Sequence, residues 1–150
     1  LPPFPTRRSS DLSQDELPKL EEILEKLLKT ASPKIDLKYA PGGLLHTEFV
    51  SQRICLIGTS TPTESSTPAI LSSLDRGTHI KTKVMENYSK LREIEQLVQI
   101  CNQSSSTKVS VESLKQQRFA KITGQSDLAS QLYQLLDDQR NQLKDLDLNP

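Results

Sequence analysis

The chain has 150 residues, and 19 Lys and Arg balance 19 Asp and Glu, so its formal net charge at pH 7 is zero. Hydrophobic residues make up 34% and aromatic residues 4%, with no Trp, well under the roughly 45–50% apolar content of ordinary globular chains. These figures give no electrostatic case for binding nucleic acid or an anionic membrane surface, no run approaches the roughly 18 apolar residues of a membrane span, and a large compact core is not expected.

The chain opens with "LPPFPTRRSSDL". From Phe4 through Leu12 this string resembles one translated reading frame of a common short-read sequencing adapter. A twin-arginine export signal needs an apolar stretch after Arg7-Arg8, and acidic residues follow instead, so that reading fails. Residues 1–12 are therefore expected to be an unstructured artefact, with the true N-terminus missing.

"DELPKLEEILEKLLKTASP" comes next. Ser13 with Glu16 three residues on makes a capping-box pattern, and Pro18 suits a first helical turn. Leu17, Leu20, Leu24, Leu27 and Ala31 step by threes and fours, a heptad seam broadened by Ile23 and Leu28. Glu22–Lys26 and Glu25–Lys29 are favourable i,i+4 pairs, and Ser32-Pro33 stops the helix. After a turn signal at Pro41-Gly42-Gly43, "LLHTEFVSQRICLIG" places Leu45, Phe49 and Leu56 near one helical face, with Val50, Ile54 and Ile57 beside it. A buried helix and a short strand at 54–57 are both admissible, with helix the preferred reading. Residues 13–57 thus hold one helix and a second, ambiguous element.

Residues 58–68, "GTSTPTESSTP", read as a mobile Ser/Thr/Pro linker. Thr61-Pro62 and Thr67-Pro68 within it are candidate sites for proline-directed phosphorylation, which would add charge and three acceptor oxygens. Residues 69–102 read as a central heptad helix through Ile80, Val84, Leu91, Ile94, Val98 and Cys101, weakened near Gly77, with Asn87 in a seam position. Residues 103–110 read as a second linker. Residues 111–148 contain Ile122, Ala129, Leu132, Leu136, Leu143 and Leu146 on one stripe, with Gln139 in the seam and Gly124 marking a break. The predicted fold class is all-α: extended helices with coiled-coil seams, or a loose helical bundle, joined by Ser/Thr/Pro-rich linkers.

Little chemistry is visible. His46 and His79, the two histidines, lack further ligands at metal spacing. Cys55 and Cys101 lie far apart and read as free thiols of a reducing cytoplasm or nucleus. "GTSTPTESS" lacks the Gly-Lys-Ser/Thr ending of a phosphate loop. Glu21, Glu22, Asp137, Asp138, Asp145 and Asp147 fall on polar helix faces and read as solvated charge. No catalytic residue, cofactor or metal is expected.

"LSSLDRGTHIK" at residues 71–81, followed by a heptad helix and a Gln-rich last helix, resembles the small coiled-coil shoulder subunit of dynactin. The resemblance implies a cytoskeletal motor adaptor and transfers no residue roles. The leading expectation is a non-enzymatic interaction subunit of a larger assembly. Its partners would be other helical subunits or further copies of itself. Leu17, Leu20, Leu24, Leu27, Val84, Leu91, Ile94, Val98, Leu132, Leu136, Leu143 and Leu146 would enter holes on partner helices. Two alternatives stand beside it: a self-contained helical bundle with a binding or regulatory role, and a fragment of an enzyme whose catalytic part lies upstream.

Overall fold

A computed structural model describes residues 14–29, 35–58, 62, 64–75, 77–109 and 128–148. The expectations for residues 1–12, Ser13, Thr61 and Ile122 lie outside these. The fold is all-α. A short 3-10 turn at Gln14–Glu16 leads into α1 (Leu17–Lys29). The two-residue strand β1 (Ile35–Asp36) precedes α2 (Leu44–Ile57), α3 (Thr67–Ser73) and α4 (Thr78–Asn102). A matching strand β2 (Lys108–Val109) and the last helix, α5 (Leu128–Leu148), follow.

The element the sequence left ambiguous, residues 44–57, is a helix, and the rest of the chain is arranged around it. α2 packs against α1, α3, α4 and α5, while α4 and α5 make the most extensive helix pair. Leu45, Phe49, Val50 and Ile54 are buried, and so are His46, Thr47 and Ser51. A helix apolar on every side is stable only when covered on every side. The first N–H groups of α2 have no side-chain cap; instead Leu44 N donates to Leu37 O at 2.9 Å and Leu45 N to Lys38 O at 3.1 Å. The preceding turn thereby satisfies donors that a helix start leaves open.

That turn is fixed from both sides. The Asp36 carboxylate accepts from Lys38 N at 3.0 Å, Tyr39 N at 3.3 Å and the Thr107 hydroxyl at 2.9 Å. The β1–β2 pairing sets Ile35 opposite Val109 and Asp36 opposite Lys108, antiparallel. α4 ends where Gln103 takes a left-handed conformation, φ 49°, a usual helix stop. The chain then returns to pair with the entry to α2.

Two corrections concern the middle of the chain. Thr67 and Pro68, read as linker, form the first turn of α3, capped by Ser66, whose hydroxyl accepts from Ala69 N at 3.3 Å. The predicted continuous helix from residue 69 is also interrupted: α3 stops at Ser73, Leu74 turns extended, and α4 starts only at Thr78. Leu74 is buried, and Lys81 Nζ donates to the Leu74 carbonyl at 2.6 Å. A lysine on the first turn of α4 thus closes the carbonyl end of α3, which lets the two helices fold against each other.

The core has two apolar parts. One holds Leu37, Leu44, Tyr88, Leu91, Val98, Leu132 and Leu136. The other gathers Leu20, Ile23, Leu24 and Leu27 of α1 with Leu45, Phe49, Val50, Ile54, Leu71, Leu74, Val84, Leu143 and Leu146. Between them runs a polar layer. Gln139, fully buried, donates through Nε2 to Thr47 Oγ1 and to the Val84 carbonyl, each at 3.1 Å. Asn87, 1% exposed, donates to Asp138 at 2.8 Å. The two polar residues that interrupt the seams of α4 and α5 therefore mark one level of the bundle.

Gly42 has φ +81°, and a Cβ there would lie 2.0 Å from the Leu136 carbonyl oxygen on α5. Gly42→Ala is expected to lower stability by about 3 kcal/mol or more, from left-handed strain and backbone overpacking together. Urea unfolding measures this directly, and a loss under about 0.5 kcal/mol, the range of an indifferent surface change, would mean α5 does not press on the turn.

Candidate functional site

The seam leucines are the first candidate, and the structure uses most of them internally. Leu20, Leu24, Leu27, Val84, Leu91, Val98, Leu132, Leu136, Leu143 and Leu146 are buried in this chain's own core; Leu17 and Ile94 are half-buried. In this structure these side chains are thus packed within the chain itself rather than left as open stripes. The stripes of α4 and α5 face each other and α2, and the stripe of α1 faces α2. Buried apolar side chains gain the same transfer energy from an intramolecular neighbour without the entropy loss of association.

Thr67 is 8% exposed in the first turn of α3, with its hydroxyl beside that of Tyr88. Tyr88 Oη in turn donates to Glu48 at 3.0 Å and accepts from Arg92 Nε at 3.2 Å. Arg92 also reaches Glu95 at 3.2 Å. Burial pushes the Glu48 carboxyl above its ordinary range, opposed by the Tyr88 hydrogen bond and Arg92. Burial likewise raises the Tyr88 hydroxyl. These groups saturate one another and tie α2 to α4.

The concave surface lies elsewhere. α1 and α5 each pack on α2 but touch each other little, and the space between them is an open groove of about 750 Å³. His46, Val50 and Arg53 of α2 form the floor. Glu21, Leu24, Glu25 and Leu28 make the α1 wall; Asp137, Arg140, Asn141, Lys144 and Asp147 line the α5 side above Leu143. Arg53 closes one end. It is bonded to Asp147 through Nη2 and lies 3.6 Å from Glu21 through Nη1, bridging all three helices.

His46 is the buried histidine of the groove. Its Nδ1 accepts the Gly42 N–H at 2.8 Å, which leaves the ring proton on Nε2 in the neutral form. Burial, and then the Arg140 guanidinium, push its pKa from 6.5 down to about 4, with Asp147 opposing. Among the described residues no cluster of His, Cys, Asp and Glu is placed to hold a metal ion, and no helix is long and apolar enough to cross a membrane. Burial raises the Cys55 thiol. No family model, curated protein or solved structure matches this chain.

Of the groove residues, the leucines, the acidic side chains and His46 were singled out beforehand, none of them as part of a groove. Arg53, Arg140 and Lys144 carried no motif. The one available signal was the i,i+3,i+4,i+7 recurrence of Glu21, Leu24, Glu25, Leu28 and of Asp137, Arg140, Asn141, Lys144, and that pattern reads equally as solvated charge.

The His46 shift sets a pH dependence. As pH falls the unfolded chain takes the proton first, so stability is complete above about pH 6.5 and is lost between about pH 6.5 and 4. The loss is expected to be on the order of 3 kcal/mol. Glu48, with a raised pKa, titrates with the opposite sign, so the comparison is wild type against His46→Gln. Urea midpoints across this window should converge toward acid pH; parallel curves would remove the assignment.

Proposed function

We propose that this chain is a non-enzymatic helical binding module, folded on its own, that holds a partner in the groove between α1 and α5. The observation that carries this reading is the fate of the seam leucines. With their side chains occupied inside the bundle, the leading surface for recognition moves from the heptad stripes to the one groove described above.

The chemistry of the groove favours holding over reacting. His46 has one ring nitrogen engaged and stays neutral well below pH 7, so it is a weak base at the bottom of the cleft. Among the described residues no cysteine, serine, threonine or tyrosine lines the groove, so a covalent route through them would have to use a carboxylate, histidine or lysine. Glu21, Glu25, Arg140 and Lys144 instead offer the polar rim, and Leu24, Leu28, Val50 and Leu143 the apolar interior, of a recognition surface. Membership of a larger assembly is compatible with this module, with contact made through the groove.

The test is thermal unfolding of the full chain over a hundredfold range of concentration. A self-contained bundle melts cooperatively at one temperature throughout. A Tm that climbs with protein concentration would return the leucine stripes to the interface and overturn the reading.

A further inference from the structure

Resting on the binding-module reading, we infer that the occupant of the groove is an amphipathic helix of a partner protein, gripped along its two edges by charges of opposite sign.

Three features select a helix. The groove is bounded by three helices, with α2 as floor and α1 and α5 as walls, and among the described residues no fourth helix covers it. Each wall presents positions i, i+3, i+4 and i+7 to it, the ridge spacing into which helix side chains pack. The wall segments, Glu21–Leu28 and Asp137–Lys144, correspond to two helical turns, about 10 Å at 1.5 Å per residue. Leu28 marks the unfinished contact: it is 40% exposed, at the edge of an otherwise buried stripe on α1. A small-molecule pocket is mostly apolar and enclosing, and this groove is open and rimmed with charge.

Charge fixes the chemistry of the occupant. The α1 wall offers Glu21 and Glu25, one turn apart and at least half exposed; Glu25 pairs with Lys29 and Glu21 lies 3.6 Å from Arg53, exposed contacts of a kind that contribute little and exchange readily. The α5 wall offers Arg140 and Lys144, also one turn apart and exposed, with no carboxylate at ion-pair distance among the described residues. Asp147 is already held by Arg53, and Asp137 stands at the far end of that wall. The complementary helix therefore carries apolar residues at i, i+3 or i+4, and i+7 toward Leu24, Leu28, Val50 and Leu143. Its edge toward α1 is basic and its edge toward α5 is acidic. Apolar burial supplies affinity and the two rims supply selection and orientation.

Three fluorescently labelled synthetic helices with one leucine stripe test this by polarisation against the full chain. One has a lysine edge and a glutamate edge, one has two lysine edges, and one has two glutamate edges. The mixed helix is expected to bind about tenfold more tightly than either other, the scale of several rim pairs acting together. E21K/E25K makes both walls basic and should transfer the preference to the two-glutamate helix. Leu28→Glu, at an exposed position, should weaken all three, and circular dichroism verifies that each variant stays folded. Equal binding of the three helices, or an unchanged preference in E21K/E25K, overturns the charged-edge inference while leaving the module intact. So does binding of none of them. A dimer in sedimentation that Leu28→Glu dissociates would make a second copy the occupant and equally overturn it. Failure of the module itself registers separately, in the concentration dependence of melting.

Discussion

α2 touches every other helix, and its buried polar side chains, His46, Thr47 and Ser51, each have a partner. Thr47 Oγ1 donates to the Gly43 carbonyl at 3.0 Å and accepts from Gln139; Ser51 Oγ donates to the Thr47 carbonyl at 2.7 Å; His46 accepts from Gly42. An unsatisfied polar group in that position costs about 1–3 kcal/mol, and several together would consume a large part of the 5–15 kcal/mol that holds a domain folded. Covering α2 and satisfying it are thus one requirement. The turn at Gly42, the approach of α5, and the folding back of α3 on α4 all serve it.

The polar layer explains why this arrangement has one register. Sliding α5 by a turn along α2 and α4 would keep leucine against leucine, since Leu132, Leu136, Leu143 and Leu146 recur at helical spacing. It would also part Gln139 from Thr47 and Val84, and Asp138 from Asn87. Hydrophobic burial is nearly indifferent to such a slip, whereas the amide partners are not, which is the best-attested role of a polar residue in a seam. The amide orientation of Gln139 follows from the same contacts. Reversed, its oxygen would face the Val84 carbonyl oxygen.

Much of the fold was legible because α1, α4 and α5 carry their apolar residues on one stripe. α2 was legible only as the preferred of two readings, for a physical reason: a helix covered on nearly all sides has little polar face, so its period weakens and it resembles a buried strand. The start of α3 was legible in retrospect, with Ser66 as cap and Pro68 in the first turn, but Thr and Pro are as common in loops. Burial of Thr67 was not, since it depends on Tyr88 arriving from α4. The charged rows of the groove were visible as residues and invisible as a site. Glu21/Glu25 and Arg140/Lys144 become opposing walls only once α1 and α5 are known to flank α2.

That flanking geometry depends on Arg53. A direct α1–α5 contact would bury Leu28 and close the groove, and in energy terms it is the cheaper way to finish the core at about 25 cal/mol per Å². The guanidinium between Glu21 and Asp147 stands in its way. A half-buried ion bridge adds little net stability by itself, and Arg53 Nε has no partner among the described residues, so the bridge is a poor choice for stability alone. Its effect is geometric. It joins α1 and α5 at one end through α2, fixes their separation there, and keeps an apolar interior accessible between two rows of opposite charge. A bundle optimised only to fold would place a leucine at residue 53. An arginine there gives up some core packing and leaves a groove of fixed width, which on the proposed binding role would lower the ordering cost of holding a partner.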